Sequence, residues 1–191
     1  IRDNMTDVTN VTLGDTNPGG LTLYGNSPTF GSSYSFGTIT VLEGSILTPL
    51  NYKSGDDDWT NDSGVTIAAD TFDLQSGGFI NADSQGYYAK GPGTGPSGAG
   101  AGYGGYSSRS YNGGYGTPYG SVYEPDDLGS GAYGASTVST YGGGAVKLDV
   151  TNTLTINGTI TSNGSDTWST GFSPSGGAGS GGSIWIDANA V

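Results

Sequence analysis

The side chains that most often carry out chemistry are unevenly represented in this sequence. The chain has 191 residues with no Cys and no His, and its acidic residues are 15 Asp and only 2 Glu. The absence of Cys and His excludes disulfides, thiol catalysis, Cys/His zinc sites and a Ser-His-Asp triad. Aspartate oxygens bind calcium, and paired carboxylates hydrolyse glycosidic bonds. The aspartates are therefore the first candidates for a functional site.

The densest acidic stretch is DDDWTND, which begins at Asp56 and ends at Asp62. Asp56, Asp58 and Thr60 occupy alternate positions, as the oxygen ligands of a calcium loop do. An EF-hand loop also requires Gly at its sixth position and Glu at its twelfth, and neither is present here. Two interpretations stay open, a calcium site at Asp56, Asp58 and Asp62 or a solvated acidic turn. No other cofactor is predicted.

No pattern in the sequence indicates a catalytic residue. With so many aspartates, two carboxylates will come close together in any fold, so their proximity does not identify an enzyme. Polysaccharide lyases on repetitive β folds use a basic residue, and no recurring set of Asp, Lys and Arg is found. We therefore expect a protein that is not an enzyme, with a polysaccharide lyase or hydrolase as the remaining alternative.

The net charge of −12 excludes several classes of partner. Nucleic acids and anionic membranes are bound by clustered Lys and Arg, and this chain has only five basic residues, which are scattered. No apolar run reaches the roughly 20 residues of a membrane helix. We expect no nucleic-acid binding and no membrane insertion. The polar composition, rich in Gly, Ser, Thr and Asn, is typical of an extracellular or cell-surface protein.

The overall composition predicts an all-β fold without significant helix. The 38 Gly residues disfavour helices, and charged residues make up only 12% of the chain. The 13 Tyr and 3 Trp, together with many Val, Ile and Thr, are too many for a disordered chain. Asp is also favoured in turns, whereas Glu is favoured in helices. These features favour short strands joined by long Gly-rich loops.

A three-strand pattern recurs along the chain. Residues 145–164 contain three short segments of alternating apolar and polar residues, separated by turn signals, and residues 64–86 repeat that pattern. A third copy begins at residue 182, and weaker copies lie at 37–47 and 21–23. The apolar residues predicted to fill the interior are Val65, Ile67, Phe72, Leu74, Ile80, Val146, Leu148, Val150, Leu154, Ile156, Ile160, Ile184 and Ile186.

The repeats are compatible with two architectures. In a meander, Asn157-Gly158 would form an antiparallel hairpin turn, whereas in a solenoid each turn would carry the chain to the next face. Recurrence of a whole unit favours the solenoid, so we predict a parallel β-helix with stacked parallel strands. The predicted organisation is an N-terminal β segment over 1–60 and solenoid repeats over 61–191, interrupted by a Gly/Tyr-rich insertion at 87–144.

The Gly/Tyr-rich insertion is predicted to be ordered. Residues 91–144 hold 18 of the Gly residues and 8 of the Tyr residues. A flexible linker is the alternative, but exposed aromatic rings gain nothing in a linker. Glycine allows backbones to pack closely, and tyrosine rings can cover a neighbouring surface.

A series of short motifs follows in a fixed order through residues 64–191. They are GGFINAD (77–83), GYGG (102–105), PYG (118–120), PDDLGSG (125–131), GGGAVKL (142–148), LTINGTI (154–160) and GSGGSIWI (179–186). The series resembles glycine-rich parallel β-helix modules of large extracellular, adhesin-like bacterial proteins. The resemblance implies the fold and a surface location, and it implies no catalytic residue. Residues 1–60 lie outside it.

The predicted function is structural, as a self-associating extracellular subunit of a filament or surface layer. The partner would be a second copy of the chain, bound head to tail into a homopolymer. A glycan-binding adhesive module is the main alternative, and it should present Tyr and Trp along a groove beside Asp and Asn. The residues predicted to mediate self-association are Tyr103, Tyr106, Tyr111, Tyr115, Tyr119, Val8, Val11 and Leu13.

Pairs of threonines in the pattern Thr-x-Thr occur at 38/40, 153/155 and 159/161. Regular threonine ladders on one face of a solenoid can order water for ice binding. We expect these pairs to lie on different sides of the coil and to form no ladder. The strand propensity of threonine then explains them more simply.

Overall fold

The computed structural model describes residues 8–25, 32–53, 59, 62–110, 113–133, 139–166 and 177–190, and these residues form an all-β structure. No α-helix occurs within these ranges, as the composition predicts. The described strands are β1 (Val8–Leu13), β2 (Gly20–Tyr24), β3 (Ser32–Val41), β4 (Ile46–Leu50), β5 (Val65–Leu74), β6 (Phe79–Asn81), β7 (Ala145–Ile156), β8 (Thr159–Thr161) and β9 (Ser183–Ala188).

The strands form two parallel sheets, and the chain passes alternately from one to the other. One sheet has five strands in the order β1-β3-β5-β7-β9, and the other has four in the order β2-β4-β6-β8. Every pair of neighbouring strands in these sheets is parallel. The predicted parallel pairing is therefore confirmed. The antiparallel hairpin at Asn157-Gly158 is excluded, because β7 and β8 belong to different sheets.

The long strands β5 and β7 each combine two of the segments that the sequence predicts as separate strands. In β5, the alternate residues Val65, Ile67 and Ala69 point inward. The alternation then shifts by one residue, so that the next inward-pointing residues are Phe72 and Leu74. At this shift β7 contains one more residue than β5, so the pairing register slips. A β-bulge of this kind bends a strand without ending it. The prediction of three strands per unit is corrected to two.

The turns between the two sheets stack on one another as the strands do. Gly44 follows β3 and Gly77 follows β5, and both have positive φ angles of 73° and 79°. Only glycine adopts that conformation without strain. The backbone N–H of Gly44 donates to the carbonyl of Gly77 at 2.8 Å, and the N–H of Gly158 donates to Leu74 at 3.1 Å. Successive units therefore turn from one sheet to the other at equivalent positions.

One apolar core lies between the two sheets and receives side chains from both. Leu23, Leu47 and Ile80 come from the four-stranded sheet and are fully buried. Nine of the predicted interior residues are likewise buried, at no more than 2% exposure. They are Val65, Ile67, Phe72, Leu74, Ile80, Val146, Leu148, Val150 and Leu154.

Four of the predicted interior residues are not buried. Ile156, Ile184 and Ile186 are 36%, 38% and 42% exposed, and Ile160 is half-buried. Ile184 and Ile186 are exposed because β9 is the outer strand of its sheet. Ile156 is exposed because the pairing of β7 with β9 ends before it. Ile160 is only half-buried because no described strand lies beyond β8 in the other sheet. The prediction that Ile156, Ile184 and Ile186 fill the interior is therefore wrong.

The N-terminal strands belong to the same two sheets as the repeats. β1 pairs with β3, which places Val11 beside Ile39 and Leu13 beside Val41. Leu13 is buried, and Val8 and Val11 pack partly against the core. These three residues therefore have partners in their own chain, which the sequence analysis did not anticipate. Strand β3, from the predicted segment 1–60, also pairs with β5 of the predicted repeats.

Two of the three Thr-x-Thr pairs occupy the same rows of the five-stranded sheet. Thr38 and Thr40 of β3 are in register with Thr71 and Asp73 of β5, and these are in register with the pair 153/155 of β7. Only the pair 159/161 lies on the other sheet. The expectation that no ladder forms is therefore wrong, because residues far apart in sequence share one register.

Candidate functional site

A cleft opens where the first residues of the inner strands meet the Gly/Tyr-rich insertion. Its volume is about 370 Å³, and it contains both of the described tryptophans. We call it the Trp cleft. Its lining residues are Trp59, Asp62, Ser63, Gly64, Val65, Thr66, Pro125, Asp126, Asp127, Ala145, Val146, Lys147 and Trp185.

Parallel register builds one wall of the Trp cleft. Thr66 of β5 pairs with Lys147 of β7, and Lys147 pairs with Trp185 of β9. Thr66 and Lys147 each lie between two buried residues on their strands, so they point away from the core, and Trp185 shares their register position on β9. The ammonium nitrogen Nζ of Lys147 lies 3.8 Å from the centre of the Trp185 ring, a close cation–π contact. That contact fixes the indole at the rim of the cleft.

Trp59 forms the aromatic part of the opposite side. Its ring contacts the Tyr87 ring edge to face, with centroids 4.8 Å apart and an angle of 68° between planes. Tyr87 is buried with Leu128 and Ala145, and Trp59 packs against this small apolar cluster. Burial, followed by the charge and hydrogen bond of Asp62, raises the pKa of the Tyr87 hydroxyl. Tyr87 therefore stays a neutral donor that orients Asp62.

Three carboxylates face the same space. Asp62 precedes β5, whereas Asp126 and Asp127 come from the insertion. Burial, and then the neighbouring charge of Asp126, raises the pKa of the Asp127 carboxyl. The backbone of Asp127 is fixed to the first residue of β9, because the Ser183 hydroxyl donates to its carbonyl oxygen at 2.7 Å. The acidic side of the cleft is thus attached to the sheet.

Backbone packing between glycines holds distant parts of the insertion together. The N–H of Gly129 donates to Gly143 at 2.8 Å, and the N–H of Gly142 donates to Tyr87 at 2.9 Å. A Cβ atom added to Gly142 would lie 2.0 Å from the carbonyl oxygen of Gly129. No side chain fits such an approach, so glycine is required there. In the described part, the insertion packs on itself through backbone contacts of this kind.

A buried hydrogen-bond network continues behind the cleft. The Tyr119 hydroxyl donates to the carbonyl of Leu128, and the Ser130 hydroxyl donates to the Tyr119 oxygen at 2.9 Å. Ser180 accepts a bond from the Ser130 N–H at 2.8 Å. Burial raises the pKa of Tyr119. The network joins the insertion to the segment that enters β9.

A lysine holds the loop that carries Tyr87. The Nζ of Lys53 donates to the carbonyls of Gly86, at 2.8 Å, and Gln85, at 3.1 Å. Its ammonium group also lies 5.9 Å from the centre of the Tyr141 ring. Burial lowers the pKa of Lys53, and the charge of Asp62 opposes that effect.

The tyrosines predicted to mediate self-association fall into two groups. Tyr103 and Tyr119 are half-buried and contact each other edge to face at 4.9 Å, so they stabilise the insertion itself. Tyr106 and Tyr115 form a second such pair at 4.8 Å and are 67% and 49% exposed. Tyr111 lies outside the described residues.

The predicted calcium site is only partly within the described residues. Asp62 lines the Trp cleft, but Asp56 and Asp58 lie outside the described ranges, and the calcium prediction stays a prediction. Among the described residues, no three Asp, Glu, His or Cys side chains are grouped so that they could hold a metal ion.

Sequence reasoning missed most of the Trp cleft. Aligning the third repeat with the second would have put Trp185 at the position of Lys147, because the copies share one register. No comparable sequence signal indicates that Trp59 and Asp127 line the cleft. Both come from segments outside the repeats, and their place depends on how those segments pack.

Comparisons of the chain with protein-family models, curated proteins and solved structures gave no match. In the described part of the chain, no helix is long and apolar enough to cross a membrane. A function therefore has to be inferred from the arrangement of the chain's own residues.

Proposed function

We propose that this chain is a parallel β-helix module of an extracellular or cell-surface protein that binds glycans in the Trp cleft. The β-helix is supported by the regular alternation of strands between two parallel sheets and by the apolar core that both sheets share. The recurring corners at Gly44 and Gly77 support a coil that repeats its path. An experimental structure in which the sheets enclose no common interior would contradict the coil.

The single observation that carries glycan binding is the combination of two tryptophans and three carboxylates in one cleft. Aromatic faces pack against the C–H surfaces of sugar rings, and carboxylates accept hydrogen bonds from hydroxyl groups. Ligand sites of this kind are concave and join apolar rings to a few polar groups. The volume of about 370 Å³ is at the lower end for such sites and suits a short stretch of a polysaccharide.

Binding fits the cleft better than catalysis does. A carboxylate and an amine do line the same cleft, as an enzyme would require. However, the ammonium group of Lys147 lies over the Trp185 ring, where its positive charge is stabilised. The one amine among the lining residues is thus engaged with the wall of the cleft. The proposed role of Lys147 is to hold the indole in place.

The test compares Trp185→Ala with Tyr123→Ala in retention by immobilised polysaccharides. Trp185 lies on the outer face of β9, so its loss should remove binding while the core stays intact. Tyr123 is 89% exposed in the insertion, lies outside the cleft and serves as the matched control. We expect Trp185→Ala to lose most of the retention and Tyr123→Ala to keep it. Equal retention by both variants, or none by the parent on neutral, acidic and basic polysaccharides, would contradict the proposal.

Self-association is a second candidate function, supported by the exposed pair Tyr106 and Tyr115. Tyrosine is favoured in interfaces, because its rigid ring buries area and its hydroxyl still finds a partner. A second copy of the chain would cover both rings. The double variant Tyr106→Ser/Tyr115→Ser should then sediment as a smaller species than the parent at equal concentration. The control Tyr133→Ser removes a ring that is 55% exposed elsewhere in the insertion, and it should not change the sedimentation. A parent protein that is monomeric at high concentration would exclude self-association.

A further inference from the structure

The outer face of the five-stranded sheet carries a regular array of short polar side chains, which we call the threonine ladder. Four strands contribute two positions each, in the pattern polar-apolar-polar, and the apolar residue between them points to the core. One row is Asn10, Thr38, Thr71 and Thr153, and the other is Thr12, Thr40, Asp73 and Thr155.

The spacing of the threonine ladder is set by the sheet. Neighbouring strands are about 4.8 Å apart, and the two rows, two residues apart on each strand, are separated by about 6.6 Å. Six of the eight positions are threonine. Three of the eight side chains are exposed and five are half-buried, so all of them contact solvent. The result is an array of two rows across four strands, in which six of the eight positions present a hydroxyl and a methyl group.

The side chains of the ladder are held rigidly. Threonine is β-branched, so its χ1 angle has few allowed values in a strand. The residues between the rows, such as Ile39, Phe72 and Leu154, are fully or almost fully buried and keep each strand in place. An array that is already ordered loses little conformational entropy when it binds. Binding of ordered water or of a solid surface therefore costs the array little conformational entropy.

The chemistry of the ladder points to a periodic ligand and not to a single small molecule. The ladder is part of a sheet face, and it contains no aromatic ring on which a sugar could pack. An array with one spacing along its rows and one fixed distance between the rows is best matched by a partner that is itself periodic. We propose that the threonine ladder binds ice, whose surface is an ordered array of water molecules that can be matched by hydroxyl and methyl groups at fixed positions. This activity is separate from the Trp cleft.

Asp73 is the one charged position in the ladder, and it limits the proposed activity. Its carboxylate accepts a hydrogen bond from Nε2 of Gln75 at 3.1 Å. A charged carboxylate holds its hydration water strongly, in an arrangement that differs from that around a hydroxyl. Replacing Asp73 by threonine would complete the second row on β5. The structure thus offers a variant that should gain activity.

The experiment follows the growth of single ice crystals in solutions of the full chain, with ice recrystallisation as a second readout. Thr71→Lys places a long charged side chain in the middle of the ladder, and Thr159→Lys is the matched control on the outer face of the other sheet. The parent and Thr159→Lys should shape ice and slow its growth. Thr71→Lys should lose most of this effect, and Asp73→Thr should increase it. Circular dichroism melting checks that all variants fold.

Three outcomes would overturn the proposal. In the first, the parent leaves ice growth unchanged at every concentration that stays soluble. In the second, Thr71→Lys is folded and as active as Thr159→Lys. In the third, the parent does not affect ice but sediments with crystalline cellulose or chitin in a way that Thr71→Lys abolishes, so that the ladder binds a polysaccharide surface instead. Loss of glycan retention in Trp185→Ala should leave the ice readout unchanged, so the two proposals can fail independently.

Discussion

Asp127 lies in the wall of the Trp cleft, where burial and then Asp126 raise the pKa of its carboxyl above the ordinary value of 3.8. The folded protein therefore holds this proton more tightly than the unfolded chain does. Ionisation of Asp127 then costs stability, and the cost appears as pH rises above 3.8. Asp127→Asn should raise Tm by a few degrees at most at neutral pH, and the gain should disappear below pH 3.8.

Thermal melts of the two proteins across this pH range would measure the effect. Asp15→Asn, at an exposed position outside the cleft, is the control for loss of one negative charge. A gain for Asp127→Asn that is equal at low and neutral pH would show that ionisation of this carboxyl is not its cause. The same variant should also bind glycans less well, since it removes a charged acceptor from the cleft.

At the residue scale, sequence reasoning found the aspartates and tyrosines but not their partners. It named Asp62 as a calcium ligand, which stays a prediction, but it did not foresee that Asp62 faces Trp59 and Tyr87 in the fold. It treated Tyr103 and Tyr119 as interface residues, whereas their rings contact each other. Residue type alone indicates what a side chain can do. Which neighbour it meets is decided by segments that have no repeat pattern.

At the scale of elements, the packing of the glycine segments gives a direct prediction. A Cβ atom on Gly142 would meet backbone atoms of Gly129 at 2.0 Å and 2.1 Å, and backbone cannot move aside as a flexible side chain can. Gly142→Ala should therefore lower the free energy of unfolding by about 1–3 kcal/mol or more. Denaturant unfolding would measure the change.

Gly104 provides the matched control for that substitution. It lies in the same insertion, and a Cβ atom there would meet nothing within 4 Å. Gly104→Ala should change the free energy of unfolding very little. If both variants unfold at the parent's midpoint, then the close approach between residues 129 and 142 does not contribute to the stability of the fold.

The elements themselves were largely predictable, because apolar alternation fixes which face of a strand is buried. β5, β7 and β9 coincide with the predicted repeats, and even the weak copies at 37–47 and 21–23 correspond to strands. The joining of two predicted segments into β7 could not be foreseen, since the bulge depends on pairing with β5. The burial of Ile156 was also misjudged, because burial depends on the next strand and not on the local pattern.

At the scale of the whole molecule, the predicted division near residue 60 separates strands that share both sheets. β3 and β5 pair along most of their length, from Ser32 beside Val65 to Val41 beside Leu74. The sequence pattern is weaker before residue 60, and a weak repeat resembles a domain boundary in the sequence. Parallel pairing does not require identical sequences, only apolar residues in matching positions. The N-terminal strands satisfy that condition with different residues.

The insertion that supplies part of the Trp cleft also affects the order in which the chain folds. β1 pairs with residues 28 positions away, from Val8 to Phe36, whereas β5 pairs with residues 82 positions away, from Thr71 to Thr153. Contacts between residues far apart in sequence form slowly, because the intervening loop must first be closed. The edge of β5 therefore stays open until β7 of the same chain arrives. During that interval β7 of another chain can pair with the free edge of β5. Synthesis of many chains close together would therefore favour strand-swapped dimers.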